Sequence, residues 1–196
     1  MEKINSFDEN MDVENKRIIV RSDFNVPINN GLIQDQTRIN LSIPFLQNLL
    51  KKKAKVFLIS HLGRPKSYND ANLSLKPVYN YLNDKIRYKT YFYSDKITQT
   101  TQDKIPFLKN GELIFFENIR YNEGELNNDD NFAKILSLLG DIYINDAFSC
   151  SHRKQASIHK IAKYVKNSYA GPLFIKELLA INMILENKQN PITCII

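Results

Sequence analysis

Five of the chain's seven arginines share one kind of setting. Arg21, Arg64, Arg120 and Arg153 each lie at or just past the end of a short apolar run, and Arg38 opens a helical pattern after Asp35-Gln36-Thr37. The segments are Arg21-Ser22-Asp23-Phe24-Asn25-Val26-Pro27, His61-Leu62-Gly63-Arg64-Pro65, Glu117-Asn118-Ile119-Arg120 and Asp146-Ala147-Phe148-Ser149-Cys150-Ser151-His152-Arg153. Lysine, of which the chain has 20, serves a solvated face equally well. It cannot replace arginine where a planar fork must grip a carboxylate or phosphate with two parallel hydrogen bonds. Several guanidiniums with one imidazole, His61, suit a small ligand carrying more than one anionic group. A phosphate carries about −1.5 to −2 charges at neutral pH, and a carboxylate adds another. Asp23 and Asn25 are poor anion ligands but good partners for a ligand hydroxyl. The set reads as a site for a phosphorylated hydroxy acid.

Each of these residues also has a structural reading. Arg21 could pair with Asp23 or Glu117, Asp23 could cap a turn before Pro27, and His61 could be a packed core histidine. Cys150 and His152 are too few for a metal site. Lys51, Lys52, Lys53 and Lys55 fall at a helix end, where lysines complement the dipole. His159 carries no functional reading. No spacing of the six glycines gives GxxxxGK[ST] or GxGxxG, and neither HExxH nor GxSxG occurs, so the chain holds no standard nucleotide-phosphate loop, zinc-protease motif or nucleophile elbow.

The elements that must position these residues follow from periodicity. Apolar, mostly β-branched runs at Arg17–Arg21, Lys55–Ser60, Lys89–Tyr93, Leu113–Phe116, Asp141–Asn145 and Ile192–Ile196 read as strands, most of them buried on both faces. Helical spacing covers Arg38–Lys52 (Ile39, Ile43, Leu46, Leu50), Leu75–Leu82 with Pro77 in its first turn, Asp129–Leu139 with Gly140 as its stop, and Pro172–Asn187. The alternation predicts an α/β fold: a Rossmann-like, doubly wound, three-layer α/β/α sandwich around a mostly parallel sheet of about six strands. Ligands of such folds bind beyond the carboxyl ends of the strands, where the arginines lie.

The chain's 196 residues suffice for a core without staples. With 43% hydrophobic and 24% charged residues it is neither disordered nor a disulfide scaffold. Its apolar runs are far too short to span a membrane, and its start does not read as a secretory signal, so none is expected. The two cysteines, Cys150 and Cys194, are expected to be reduced thiols of a cytoplasmic protein. A net charge of +6 favours anionic partners, but no nucleic-acid recognition module is apparent. The apolar run Ile192–Ile196 is unusual for a domain's end, so the chain is expected to be the front of a longer protein.

In these segments the chain resembles the phosphoglycerate kinases, specifically their N-terminal, substrate-binding half. The resemblance is carried by Val20-Arg21-Ser22-Asp23-Phe24-Asn25-Val26-Pro27, Asp35–Arg38, Ser60-His61-Leu62-Gly63-Arg64-Pro65, Ser74-Leu75-Lys76-Pro77-Val78, Glu117-Asn118-Ile119-Arg120 and Asn145-Asp146-Ala147-Phe148, continuing through His152-Arg153 to Ala156-Ser157. They occur in order along almost the whole chain. The resemblance implies a 3-phosphoglycerate site formed by Asp23, Phe24, Asn25, Arg38, His61, Leu62, Gly63, Arg64, Arg120 and Arg153. It also implies that Arg38 stabilises the phosphoryl group in flight between 1,3-bisphosphoglycerate and ADP. It implies a substrate domain over residues 1–171, a connecting helix over 172–187, and at 188–196 the first strand of a C-terminal domain that holds the Mg-ATP or Mg-ADP. No cofactor or metal ligand is then expected in this chain, which alone would bind substrate without turning it over; the full-length family is mostly monomeric. A stand-alone phosphoglycerate-binding remnant without catalysis is the alternative. The chain departs from the family at Ser149, where a glycine is usual, and at Gln155, where a histidine is.

Overall fold

The computed structural model describes residues 4–66, 70–105, 107–186 and 193. In chain order the elements are β1 (Arg17–Arg21), β2 (Ile28–Asn29), β3 (Leu32–Ile33), α1 (Thr37–Lys51), β4 (Lys55–Ile59), α2 (Lys76–Lys85), β5 (Thr90–Tyr93), α3 (Thr101–Lys104), β6 (Leu113–Phe116), α4 (Glu123–Leu126), α5 (Asp130–Ser137), β7 (Ile142–Asn145), α6 (Ile161–Tyr164), β8 (Asn167–Ala170) and α7 (Pro172–Glu186). Six strands form one parallel sheet in the order β5-β6-β4-β1-β7-β8, and β2 and β3 form a separate hairpin.

The central strands are apolar throughout because both faces of the sheet are covered. Side chains alternate along a strand, so Ile18, Val20, Val56, Leu58, Leu113 and Phe115 join Ile39, Leu46 and Leu49 of α1 and Val78 and Leu82 of α2 in one buried layer. Ile19, Phe57, Ile59, Ile114, Phe116 and Tyr143 face the other way, onto Phe132, Ala133 and Leu136 of α5 and Ile161 of α6. The three-layer α/β/α architecture expected from the sequence is the one observed.

Several elements differ from expectation. The sixth strand is β8, Asn-Ser-Tyr-Ala, whose polar composition hides it; it pairs along β7 from Asn167 to Ala170. The expected strand Ile192–Ile196 lies, apart from Thr193, outside the described residues, as does Cys194. The aromatics of β5 are half-buried, because this strand is an edge of the sheet. Gly140 is not a left-handed helix stop. Its Cβ would sit 2.7 Å from Ile19 Cγ1 and 3.0 Å from the Arg17 carbonyl oxygen, so glycine is needed there to let the chain pass close over β1. His159 lies in a π-helical turn, Ala156–Lys160, leading into α6.

Candidate functional site

The sheet delivers the site. β1 lies between β4 and β7, with Arg21 opposite Ile59 on one side and Asn145 on the other. Ser22, Ser60 and Asp146 therefore leave the sheet side by side. The strand order reverses at β1, which makes this edge the crevice of a doubly wound sheet.

Two short side chains and one carboxylate lock the loops together. Ser60 Oγ donates to the Ser22 carbonyl at 2.8 Å and accepts from the Phe24 N–H at 2.9 Å. Asn118, fully buried after β6, accepts from the Leu62 N–H at 3.2 Å and donates to the Leu62 carbonyl at 2.7 Å. Glu117 does not reach Arg21: its carboxylate accepts from Ser74 Oγ at 2.6 Å and from the Leu75 N–H at 2.7 Å, fastening the start of α2.

Arg21 is completely buried. Its partners are neither of the two acids anticipated from the sequence. Nε donates to Ser157 Oγ at 3.2 Å, Nη1 to the Ser22 carbonyl, and Nη2 to His61 Nδ1 at 3.0 Å. Phe24 and Leu62 are also buried, the Phe24 ring packing edge-on against Phe115, so their side chains support the site from beneath.

The rim is built around Asp23. Its Oδ1 accepts from the Asn25 N–H at 3.0 Å, forming the turn the sequence allowed. Its Oδ2 accepts from Arg38 Nη1 at 2.6 Å and from the Ser149 hydroxyl. Asn25 Oδ1 accepts from the Gly63 N–H at 2.9 Å. Gly63 adopts φ +54°, and a Cβ there would meet Leu73 at 2.5 Å, so a side chain is excluded on both counts. Its carbonyl accepts from Arg120 Nη1. Arg120 Nη2 reaches Gln155 Oε1 at 3.4 Å, and Arg120 Nε is buried with no hydrogen-bond partner among the described residues. Arg64 follows Gly63 and is exposed, and Arg153 is half-buried. A cleft of about 180 Å³ opens between Asp23, Arg38, Phe148, Ser149 and the first turns of α7.

The electrostatics are one-sided. Burial first, then the guanidiniums of Arg21, Arg120, Arg153 and Arg38, push His61 down to about 2. His61 Nδ1 also lies 3.9 Å from Asp23 Oδ1, but that distance is too long for a hydrogen bond and the nearer partner is a cation, so the imidazole is neutral. Burial and the neighbouring Arg153 and Arg21 lower Arg120 to about 10, which leaves it charged at neutral pH. Asp146 is buried and caps α7, accepting at Oδ1 from the Leu173 and Phe174 N–H groups at 2.7 and 3.2 Å. Burial raises its carboxyl to about 6.

Asp23, Asn25, Arg38, His61, Gly63, Arg120 and Arg153 thus cluster beyond the carboxyl ends of the central strands, where Asp23 and Arg38 line the cleft. Glu125 and Ser157, buried behind Arg21, were not legible as part of the cluster: Glu125 sits in the acidic run Glu123-Gly124-Glu125, which has no apolar period to mark it as interior. Among the described residues no group of three or more His, Cys, Asp or Glu could hold a metal ion.

Comparison with known proteins converges on one family. The family model described as phosphoglycerate kinase matches residues 8–196. The phosphoglycerate kinase of Wolbachia sp. subsp. Drosophila simulans is 45% identical over 188 residues, covering 96% of this chain and 47% of the relative. That of Buchnera aphidicola subsp. Schizaphis graminum is 38% identical over 187 residues, covering 95% and 47%. The solved phosphoglycerate kinase structure from Coxiella burnetii superposes with a TM-score of 0.79 at 37% identity, over 93% of this chain and 45% of that one. That from Pyrococcus horikoshii OT3 gives 0.79 at 27% identity. The chain spans about half the length of the relatives it matches.

Proposed function

The chain belongs to the phosphoglycerate kinase family, and from that membership we propose that its arginine-lined crevice is the phosphoglycerate site of a kinase. The reaction is reversible phosphoryl transfer from 1,3-bisphosphoglycerate to ADP, giving ATP and 3-phosphoglycerate. The observation that carries this reading is the clustering of guanidiniums beyond the strand ends: Arg21 on His61 at 3.0 Å, Arg38 on Asp23 at 2.6 Å and Arg120 on the Gly63 carbonyl.

Phosphoryl transfer asks little covalent chemistry of a protein. Positioning and stabilisation of charge on the transferring group dominate, and a fixed cationic cluster supplies both. In this reading Arg120, Arg153 and Arg64 take the phosphate and carboxylate of the ligand. Asp23 and Asn25 meet its hydroxyl, and His61 donates a hydrogen bond. The backbone of Phe24, Leu62 and Gly63 shapes the floor. Arg38 stands exposed on the rim, paired with Asp23. In this reading it turns from Asp23 onto the phosphoryl group in flight.

The nucleotide is the other substrate, and Mg²⁺ bound to it would neutralise phosphate charge. In this reading the nucleotide and its ion belong to the other half of the kinase, and this chain's part is the phosphoglycerate. In this reading residues 1–171 are the substrate domain, 172–187 lead to a nucleotide-binding half, and 188–196, which apart from Thr193 lie outside the described residues, belong to that half. Leu179, Met183 and Leu185 of α7, all exposed, lie on the connecting segment. The chain alone binds phosphoglycerate and does not turn it over.

A chimaera tests this. This chain replaces the corresponding half of the Wolbachia relative, and ATP-dependent phosphorylation of 3-phosphoglycerate is assayed. The expected result is activity that Arg38→Ala lowers by about 10²-fold or more. A folded chimaera with no activity, or one indifferent to Arg38→Ala, would contradict the assignment.

A further inference from the structure

A buried polar relay lies behind the crevice, and the roles assigned above leave most of it unused. Glu125, in α4, is fully buried and its carboxylate accepts twice from one residue: from the Ser157 N–H at 2.8 Å on Oε2 and from the Ser157 hydroxyl at 2.6 Å on Oε1. Ser157 Oγ in turn accepts from Arg21 Nε at 3.2 Å. Arg21 Nη2 then meets His61 Nδ1 at 3.0 Å. The π-helical turn at Ala156–Lys160 aims Ser157 inward; such turns recur where a side chain must be re-aimed at a functional site.

The direction of each bond is fixed by chemistry. A guanidinium can only donate, so His61 Nδ1 accepts and its ring carries its proton on Nε2. Ser157 Oγ accepts from Arg21, so its own hydrogen is free for Glu125. Both Glu125 oxygens then accept, which the ionised carboxylate satisfies. Burial raises this carboxyl, while Arg21 and the two bonds from Ser157 oppose the rise.

We propose that Glu125 and Ser157 are positioning residues which act through Arg21 to lock His61 as a neutral Nε2–H donor, so that the crevice offers its ligand a hydrogen bond there instead of a titrating charge. The relay supplies the counter-charge for a buried guanidinium and, with the Ser22 carbonyl, an acceptor that orients its fork toward Nδ1. The groups bearing on His61 are Arg21, Arg38, Arg120 and Arg153, all opposing its protonation, and Asp23 at 3.9 Å, which favours it. The relay holds the nearest of these in place. The benefit to binding rests on the phosphoglycerate reading; the tautomer does not.

The test is the ¹⁵N-imidazole spectrum of the full chain, whose histidines are only His61, His152 and His159, recorded from about pH 5 to 8 around the ordinary histidine pKa. His61 is expected to show an unprotonated Nδ1 and a protonated Nε2 at every pH. In Ser157→Ala and in Glu125→Gln it is expected to mix tautomers and begin to titrate, while Ser157→Thr, which keeps the hydroxyl, retains the wild-type pattern. In parallel, Ser157→Ala should weaken 3-phosphoglycerate binding by about tenfold, the scale of one hydrogen bond to a charged partner. A wild-type imidazole protonated on Nδ1, or titrating near its ordinary pKa, overturns the proposal whatever the variants do. So does a folded Ser157→Ala or Glu125→Gln protein with an unchanged His61 spectrum. Loss of phosphoglycerate binding in the wild type with the expected tautomer would instead count against the ligand assignment and leave the relay standing.

Discussion

At Asp23 one carboxylate holds three donors: the Asn25 N–H, the Arg38 guanidinium and the Ser149 hydroxyl. A ligand that takes Arg38 must outbid this arrangement, and the exposure of Arg38 leaves it free to swing. Asp146 works differently. It is buried at the start of α7 with Oδ2 lacking a hydrogen-bond partner among the described residues, and its carboxyl is raised to about 6. Between its unfolded value near 4 and 6 the folded chain holds a proton the unfolded chain has lost, so stability contributed by this group is full below about pH 4 and falls as pH rises through about 6. Asp146→Asn keeps an oxygen for the Leu173 and Phe174 N–H groups. It is expected to fold and to lose this component, on the order of 2 kcal/mol, in urea unfolding measured at pH 4.5 and 7; an unchanged slope between the two would count against it. Residues such as His61, just past a strand end, and Arg38, at a helix start, were legible in the sequence because their types serve no apolar role there. Ser157 and Glu125 were not, because their roles arise from tertiary burial that no local pattern encodes.

Elements were legible where burial on both faces makes strands continuously apolar. β1, β4, β6 and β7 carry that signal, and they are the strands that deliver the crevice. β8 does not, since its polar residues sit at the sheet's edge and only Ala170 is buried. The two-residue strands of the β2–β3 hairpin and the single-turn helices α3 and α4 are too short for any period to register. Gly140 marks a contact between elements. Gly140→Ala places a methyl 2.7 Å from Ile19 Cγ1 and 3.0 Å from backbone. It is expected to cost about 1–3 kcal/mol, read as a lowered urea midpoint at constant slope; an unaltered midpoint would mean the chain passes β1 less closely than described.

For the whole molecule, the net charge of +6 gave only a preference for anions, while the placement of five arginines gave the crevice. α7 leaves the sheet next to that crevice, tied to it by the Asp146 cap and by Phe174 packed edge-on against Phe148 at 5.2 Å. The first turn of α7 is therefore fixed beside the crevice. The long-range order of segments along the chain could be matched to a family, whereas the closing of loops over Arg21 could be seen only in three dimensions.

The central claim is that this chain carries a phosphoglycerate site by itself. The most direct measurement is calorimetric titration of the chain with 3-phosphoglycerate, beside Arg38→Ala and with inorganic phosphate as the control ligand. Saturable binding that is tighter than phosphate, and about tenfold weaker in Arg38→Ala, is the predicted result. Binding no better than phosphate, or equal in the two proteins, would contradict it.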